Sequence, residues 1–277
     1  MYNFTQNIIK IIKTLKIKFV YVILVYVFPI YFINLLSFKI ISSYLMNSII
    51  IPAYNEEDRI GESLSKIIDY TNSENIEVEI IVVDDGSKDK TVDIANSFGG
   101  NVRVIKQEKN QGKGAAVRRG MLEAKGDFRV FSDADLSTPI YEIKKLIEHN
   151  KKGFDVCIGS RAVDSSMIKE HQPWYREMMG KTFNHIVQLL VVKGIKDTQC
   201  GFKGFSKLAA EKIFSVAKID GFAFDVEVVF LAGKFNFKIA EIPVEWYNDE
   251  RSKVNPITDS TKMFYEILKI RNLHRDL

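Results

Sequence analysis

Residues 46–87 read MNSIIIPAYNEEDRIGESLSKIIDYTNSENIEVEIIVVDDGS. Two short runs rich in Ile and Val, 48–51 and 78–83, enclose a stretch in which Ile60, Leu64, Ile67 and Ile68 recur at helical spacing. Apolar runs of this length bounded by turn residues predict buried parallel strands. The 3.6-residue period between them predicts an amphipathic helix, with Asn55 as its N-cap. The alternation continues with strands over 102–105, 128–131 and 156–159. A helix over 90–98 follows Ser87 or Asp89 as cap, and Thr138-Pro139 opens another that carries Ile143, Leu146 and Ile147. Repeated β and α at this spacing predict an α/β fold, a doubly wound and mostly parallel sheet flanked by helices, in one domain over 46–277. The second half is less regular: helices over 174–193 and 223–232, a Gly-rich loop or short strand at 199–205, a strand over 238–244, then a polar loop ending near Pro256.

Of the 277 residues 46% are hydrophobic, enough for a real core and against disorder. Net charge is +4 with Lys and Arg scattered, which speaks against nucleic acid as a partner. The two cysteines, Cys157 and Cys200, form no CxxC pair, so they read as reduced thiols without a zinc site. Ahead of the domain, 1–45 is a basic and hydrophobic segment. Its run FVYVILVYVFPIYFINLLSF, 19–38, is uncharged and long enough to cross a bilayer. It is too long for a signal peptide and lacks a small-residue cleavage site. Lys10, Lys13, Lys16 and Lys18 before it, against Lys39 after it, would keep the N-terminus inside and send the domain outside. Three arrangements reverse that: opposite insertion, a hairpin broken at Pro29, or a true start at Met46.

In an open parallel sheet, ligands bind beyond the carboxyl ends of the strands. There the sequence sets Pro52-Ala53-Tyr54-Asn55-Glu56-Glu57, Asp84-Asp85-Gly86-Ser87, Ser132-Asp133-Ala134-Asp135 and Ser160-Arg161. Three of the four carry carboxylates, an unfavourable crowding unless something cationic or rich in hydroxyls binds among them. Asp133 and Asp135 form a DxD that either caps a turn or holds a hard divalent ion with substrate phosphates. Asp84 and Asp85 either cap the next helix or accept hydrogen bonds from a ribose or base. Asn110-Gln111-Gly112-Lys113-Gly114 lacks GxxxxGK[ST] and does not follow the first strand, which excludes a P-loop; Lys113 could still meet a pyrophosphate.

In order, IPAYNEE, VVDDGSKDKT, NQGKGAAVRRGM, SDADLSTP, GSRA, DTQCGFKGF and GFAFDVEVVFLA resemble the family 2 glycosyltransferases. Among these they are most similar to the dolichyl-phosphate β-glucosyltransferases, cousins of the mannosyltransferases. Each piece recurs widely; the series, over about 47–256, does not. The resemblance implies a GT-A fold, Rossmann-like, and inverting transfer of glucose from UDP-glucose to a polyprenyl (dolichyl) phosphate. It implies a nucleotide-contacting loop at Pro52, Ala53, Tyr54 and Glu56, uridine-side carboxylates at Asp84 and Asp85, and donor contacts from Lys113, Asp133 and Ala134. Asp133 and Asp135 match the pair that holds Mg²⁺ or Mn²⁺. Arg161, with Arg176 or Lys181, would face phosphate, and Gln199, Gly201, Phe202 and Lys203 would line the acceptor side. Asp133, Asp135 and Arg161 are thus the expected catalytic set, in a membrane-associated enzyme whose domain faces the cytoplasm.

One departure matters. Some mannosyl relatives carry Gln where this chain has Ser137, which weakens the mannose alternative. An acceptor phosphate is already ionised at neutral pH, so a strong base is dispensable. His149, His171, His185 and His274 accordingly read as ordinary surface or helix residues, and Cys200 as a packed thiol. Trp174 and Tyr175 open a helix that is either core or interfacial, and Glu245, Trp246 and 251–256 form a loop over the site or a surface connection. Other expectations remain: a GDP-mannose or other UDP-sugar donor, a catalytically silent sugar-nucleotide-binding membrane module, or a processive synthase. The polar, short tail speaks against the last.

Overall fold

The computed structural model describes residues 46–249, 251 and 258–277. The expected membrane segment 1–45 and the loop residues 252–256 lie outside the described residues, as do the side chains of Tyr175, Arg176 and Lys181. Seven strands form one sheet: β1 (Asn47–Ala53), β2 (Val78–Asp84), β3 (Val102–Lys106), β4 (Phe128–Ser132), β5 (Val156–Ser160), β6 (Phe202–Ser206) and β7 (Ile239–Pro243). Their spatial order is β3-β2-β1-β4-β6-β5-β7. All neighbours are parallel except β6, which runs antiparallel between β4 and β5.

Successive strand side chains point to opposite faces, and the core divides accordingly. Ile50, Ile81, Val83 and Phe131 face α3 (Lys113–Glu123), α6 (Lys207–Phe214) and α7 (Phe224–Lys234). Ile49, Ile51, Ile80, Val82 and Val130 face α1 (Ile60–Ser73) and α4 (Ile143–Lys151). A further helix, α2 (Thr91–Ser97), packs beside β3, and α5 (Trp174–Leu190) and α8 (Thr258–Leu273) complete the second half. Each fully buried Ile or Val contributes about 1.5–3 kcal/mol, which is why the β1–β2–β4 centre holds.

The strand reading survives with one change of direction and one addition. The Gly-rich run expected as loop or strand is β6, antiparallel within the sheet. α8 was not expected from its sequence, yet it buries Met263, Ile267 and Ile270 along one stripe. Asn55 is not the N-cap of α1, which begins at Ile60. Its φ is +54°, its N–H donates to Ser87 Oγ at 2.8 Å, and its Oδ1 accepts from the Lys88 N–H at 2.8 Å, so it ties the loops after β1 and β2 together. Neither Ser87 nor Asp89 is the N-cap of α2, which is Lys90 without a side-chain cap; Asp89, one residue ahead, accepts from the Thr91 N–H at 3.0 Å.

β1 to β3 step outward in one direction and β4 starts on the other side of β1, so the switch point lies between β1 and β4. The antiparallel β6 enters the sheet at the edge where β4 leaves it, with Ser132 opposite Phe202. Residues on both sides of that register meet at the carboxyl edge.

Gly204 lies where a Cβ would sit 2.2 Å from the Phe128 ring. Gly204→Ala is expected to lower stability by about 1–3 kcal/mol through overpacking, read as a fall in melting temperature. An unchanged melting curve would mean that β6 does not seat against β4 in this register.

Candidate active site

Asp133 and Asp135 follow β4, where the chain turns out of the sheet through Leu136 at φ +50°. The Ser137 N–H donates to Asp135 Oδ1 at 2.9 Å. Lys113, first residue of α3, brings its ammonium to 2.5 Å from Asp133 Oδ1. Burial followed by the like charge of Asp133 pushes the Asp135 carboxyl up, with Arg59 and Lys113 working against them. For Lys113, burial favours loss of the proton, but the charges of Asp133, Asp225 and Asp135 outweigh it and raise its pKa, so the ammonium persists.

Gly201 explains how the pair is held. A Cβ there would stand 2.0 Å from Asp133 Oδ2, so the carboxylate lies directly on the bare backbone before β6. Among the described residues no group of three or more His, Cys, Asp or Glu could hold a metal ion. Two carboxylates of one charge sign, aimed at one cavity, fit a hard divalent cation whose other ligands come from phosphate and water.

The glycine loop before Lys113 does not offer its amides to a phosphate. The Gln111 and Gly112 N–H groups donate to Asp85 at 2.7 and 2.9 Å, and Gln107 Nε2 donates to it at 2.8 Å. Gly112, at φ +112°, and Gly114 would each place a Cβ within 2.5 Å of a carbonyl oxygen of Asp220 or Ile219, so only glycine allows this contact. What the loop delivers is the Lys113 side chain.

Two adjoining cavities share Lys113, Asp133 and Asp135. The larger, about 910 Å³, is lined by Pro52, Ala53, Tyr54, Glu56, Asp85 and Ala134, all expected at the donor. Asp84 is not in that lining: it is buried and accepts from the Ser87 N–H at 3.2 Å. Arg59, which sequence reasoning missed, lies beneath, paired with Glu56 and 3.3 Å from Asp249. The opposite wall is the 218–222 loop, fixed by buried Glu227, which accepts from the Lys218 and Ile219 N–H groups at 2.8 and 2.9 Å. His274 Nε2 lies 2.6 Å from the same carboxylate and is 1% exposed, so it is a core residue and not the ordinary surface or helix residue expected.

The second cavity, about 550 Å³, is lined by Arg161, Gln199 and Gly201 and by the apolar Met178, Phe183, Ile186 and Met263. Arg161 is gripped by Asp197, its Nε and Nη2 donating at 2.7 and 2.9 Å, and its guanidinium lies 5.4 Å from the Trp246 ring centroid. Burial alone would raise the Asp197 carboxyl, but Arg161 outweighs it and holds it down to about 2. Nη1 of Arg161 has no hydrogen-bond partner among the described residues and remains available to an anion. Phe202 and Lys203 do not line this cavity. Phe202 is core, and Lys203 is wholly buried, paired with Asp225 and donating to the Cys200 carbonyl at 2.6 Å. Asp225, absent from the expected set, does line it. Cys200 is a packed thiol pushed up to about 11, chiefly by burial. Arg176 and Lys181 lie on α5 with side chains outside the described residues.

With this geometry in view, the chain matches the model of glycosyl transferase family 2 over residues 48–214. It is 39% identical over 242 residues to the dolichyl-phosphate β-glucosyltransferase of Dictyostelium discoideum, covering 81% of this chain and 73% of that one. To the Homo sapiens protein of that name it is 36% identical, covering 81% and 74%. To that of Saccharomyces cerevisiae it is 35% identical, covering 81% and 73%. Among solved structures, glucosyl-3-phosphoglycerate synthase from Mycobacterium tuberculosis with UDP aligns at TM-score 0.63 and 18% identity, covering 84% of this chain and 81% of that one. Mannosyl-3-phosphoglycerate synthase from Rubrobacter xylanophilus aligns at TM-score 0.63 and 18% identity, covering 84% and 75%. These neighbours establish the GT-A fold.

Gly201→Ala is expected to displace the Asp133 carboxylate and weaken Mn²⁺ binding about 10-fold to 100-fold, followed by electron paramagnetic resonance, with the fold retained. Parental affinity would show that Asp133 does not depend on that bare backbone. A second expectation concerns Asp197. Its folded pKa, about 2, lies below the roughly 3.9 of an unfolded aspartate, so its stabilisation is complete above that value and lost as pH falls towards 2. The melting-temperature deficit of Asp197→Asn should therefore be present at pH 7 and narrow over that acid window; a constant deficit would contradict the ion pair.

Proposed function

The chain belongs to glycosyl transferase family 2, and on that premise we propose that it transfers glucose from UDP-glucose to a dolichyl-type polyprenyl phosphate, with inversion at the anomeric carbon. One observation carries this most: the Asp133–Asp135 pair with Lys113 and the Asp197-gripped Arg161 line one cavity, which brings two anion-handling groups to it. The relatives named above are called dolichyl-phosphate β-glucosyltransferases, which favours this donor sugar and acceptor over the mannose alternative.

Asp133 and Asp135 would hold Mg²⁺ or Mn²⁺, which when bound supplies positive charge to the diphosphate that leaves. Lys113, kept as an ammonium, adds a second cation on the same side. The 52–56 loop and the 218–222 loop form the walls for the nucleoside. Arg161 offers its free Nη1 to the acceptor phosphate, and its fork cannot rotate away because Asp197 and Trp246 fix its plane. A phosphate monoester has its second pKa near 6, so its oxygen arrives as a nucleophile without a general base. Attack by that oxygen on the face opposite the departing diphosphate would invert the anomeric carbon.

Met178, Phe183, Ile186 and Met263 give the isoprenoid chain an apolar wall. Trp174 and Met178, 75% and 54% exposed on α5, add apolar surface beside it. A lipid acceptor and a cytosolic donor together imply a domain at a membrane surface facing the cytoplasm.

The test is transfer of labelled sugar from UDP-glucose and from GDP-mannose to dolichyl phosphate, with and without Mg²⁺ or Mn²⁺. A metal-dependent, chloroform-soluble glucose product is expected, and Asp135→Asn should lower its rate at least about 100-fold with melting unchanged. Mannose product alone would move the donor to the sister branch. No lipid product from either sugar would overturn the acceptor.

A further inference from the structure

We propose that Glu241, on the edge strand β7, is the positioning residue for Arg161. It touches neither cavity, yet it joins the two chain segments between which the Arg161–Asp197 pair is made. Its Oε1 accepts from Ser160 Oγ at 2.7 Å, and Ser160 Oγ in turn accepts from the Ala162 N–H at 3.2 Å. The turn that carries Arg161 is thereby fixed on both sides of that residue. The same carboxylate accepts from the Asp197 N–H at 2.8 Å and from the Lys196 N–H at 3.0 Å. Asp197, which accepts from the Arg161 N–H at 3.0 Å as well as from its side chain, is therefore fixed by the same oxygen that fixes the residues on either side of Arg161.

Strand geometry explains why this residue can do so. β7 pairs in parallel with β5, setting Glu241 beside Ile158 and Pro243 beside Ser160, so Glu241 stands just before the edge where β5 ends. Among the described residues segment 196–197 has no strand partner; its N–H groups find their acceptor in Glu241. Without that carboxylate two backbone donors and a buried Ser160 hydroxyl lose their partner together. Asp197 would remain close to Arg161 but no longer at a fixed place, and a guanidinium fork aligned on a phosphate depends on its plane.

The consequence for catalysis rests on the reading that Arg161 binds the acceptor phosphate, and the experiment separates the two. In ¹⁵N-labelled protein, the Arg161 Nε–H signal, assigned by its absence in Arg161→Lys, reports the Asp197 hydrogen bond without any substrate. In Glu241→Ala it should broaden or exchange with water, while in Glu241→Gln, which keeps one acceptor oxygen, it should be largely restored. In transfer assays Glu241→Ala should raise the KM for the lipid phosphate about tenfold, the worth of a hydrogen bond to a charged group, and leave the KM for the nucleotide sugar unchanged. In an Arg161→Lys background the same change should add little, because both substitutions act through one contact. An Arg161 signal as sharp in Glu241→Ala as in the parent would overturn the proposal, as would an additive double variant or an equal rise in both KM values. If the parent transfers nothing to a polyprenyl phosphate, the acceptor reading fails, and the Nε–H signal still decides whether Glu241 positions Arg161.

Discussion

The carboxyl edge of the sheet gathers more negative charge than a folded protein can leave uncompensated, and the rest of the site is arranged around that constraint. A buried carboxylate without partners is strongly disfavoured. Here each is assigned to a loop or a cation. Asp85 takes the amides of the 111–112 turn, Glu227 those of residues 218–219, Glu241 those of residues 196–197, and Asp197 takes Arg161. These contacts turn irregular loops, which have no ladder to satisfy their backbone, into fixed walls. Asp133 and Asp135 differ. Beside each other and against Lys113, they are, among the described residues, the acidic pair that lines both cavities, which is where an additional cation is best accommodated.

Much of the fold was legible because its first half obeys local rules. Ile- and Val-rich runs, the 3.6-residue period of α1 and the turn residues between them are all short-range signals. What escaped was set by partners distant in sequence. β6 is a poor strand by composition, with Gly201 just before it and Gly204 between its two phenylalanines, and becomes one because those glycines admit Asp133 and the Phe128 ring. Asn55 looked like a cap and is instead consumed by residues 87 and 88, more than thirty positions on. α8 carries an amphipathic stripe among enough polar residues to pass for a surface tail, and only packing reveals which face matters.

The site divides in the same way. Residues at strand ends, from Pro52 to Arg161, could be ranked from the sheet rule alone, and most do line the cavities. Phe202 and Lys203, expected from the family resemblance and not from that rule, were misplaced because a whole motif was read as one surface. A strand sends its side chains up and down, so only residues before its start, Gln199 and Gly201, lie at the edge. Asp84 and Asp85 were equally acidic on paper, yet one is enclosed under the Ser87 turn and the other orders the loop ahead of Lys113. Arg59, Asp197, Asp225 and Glu241 had no local signal, since a charged residue in a loop or on a strand reads as solvated until its buried partner is known.

Asp225 shows how these contacts constrain the chemistry. It lines the second cavity at the start of α7, where a carboxylate could serve a hydroxyl nucleophile as base. Burial raises its pKa, with Lys203 and Lys113 opposing. Its oxygen is engaged by the wholly buried Lys203 ammonium, which also holds the Cys200 carbonyl just before Gly201. A carboxylate committed in this way could take a proton only by giving up its ion pair with Lys203, which ties it to the segment ahead of Gly201. A phosphate monoester arrives already ionised and asks no such exchange of Asp225, where a sugar hydroxyl has a proton to lose.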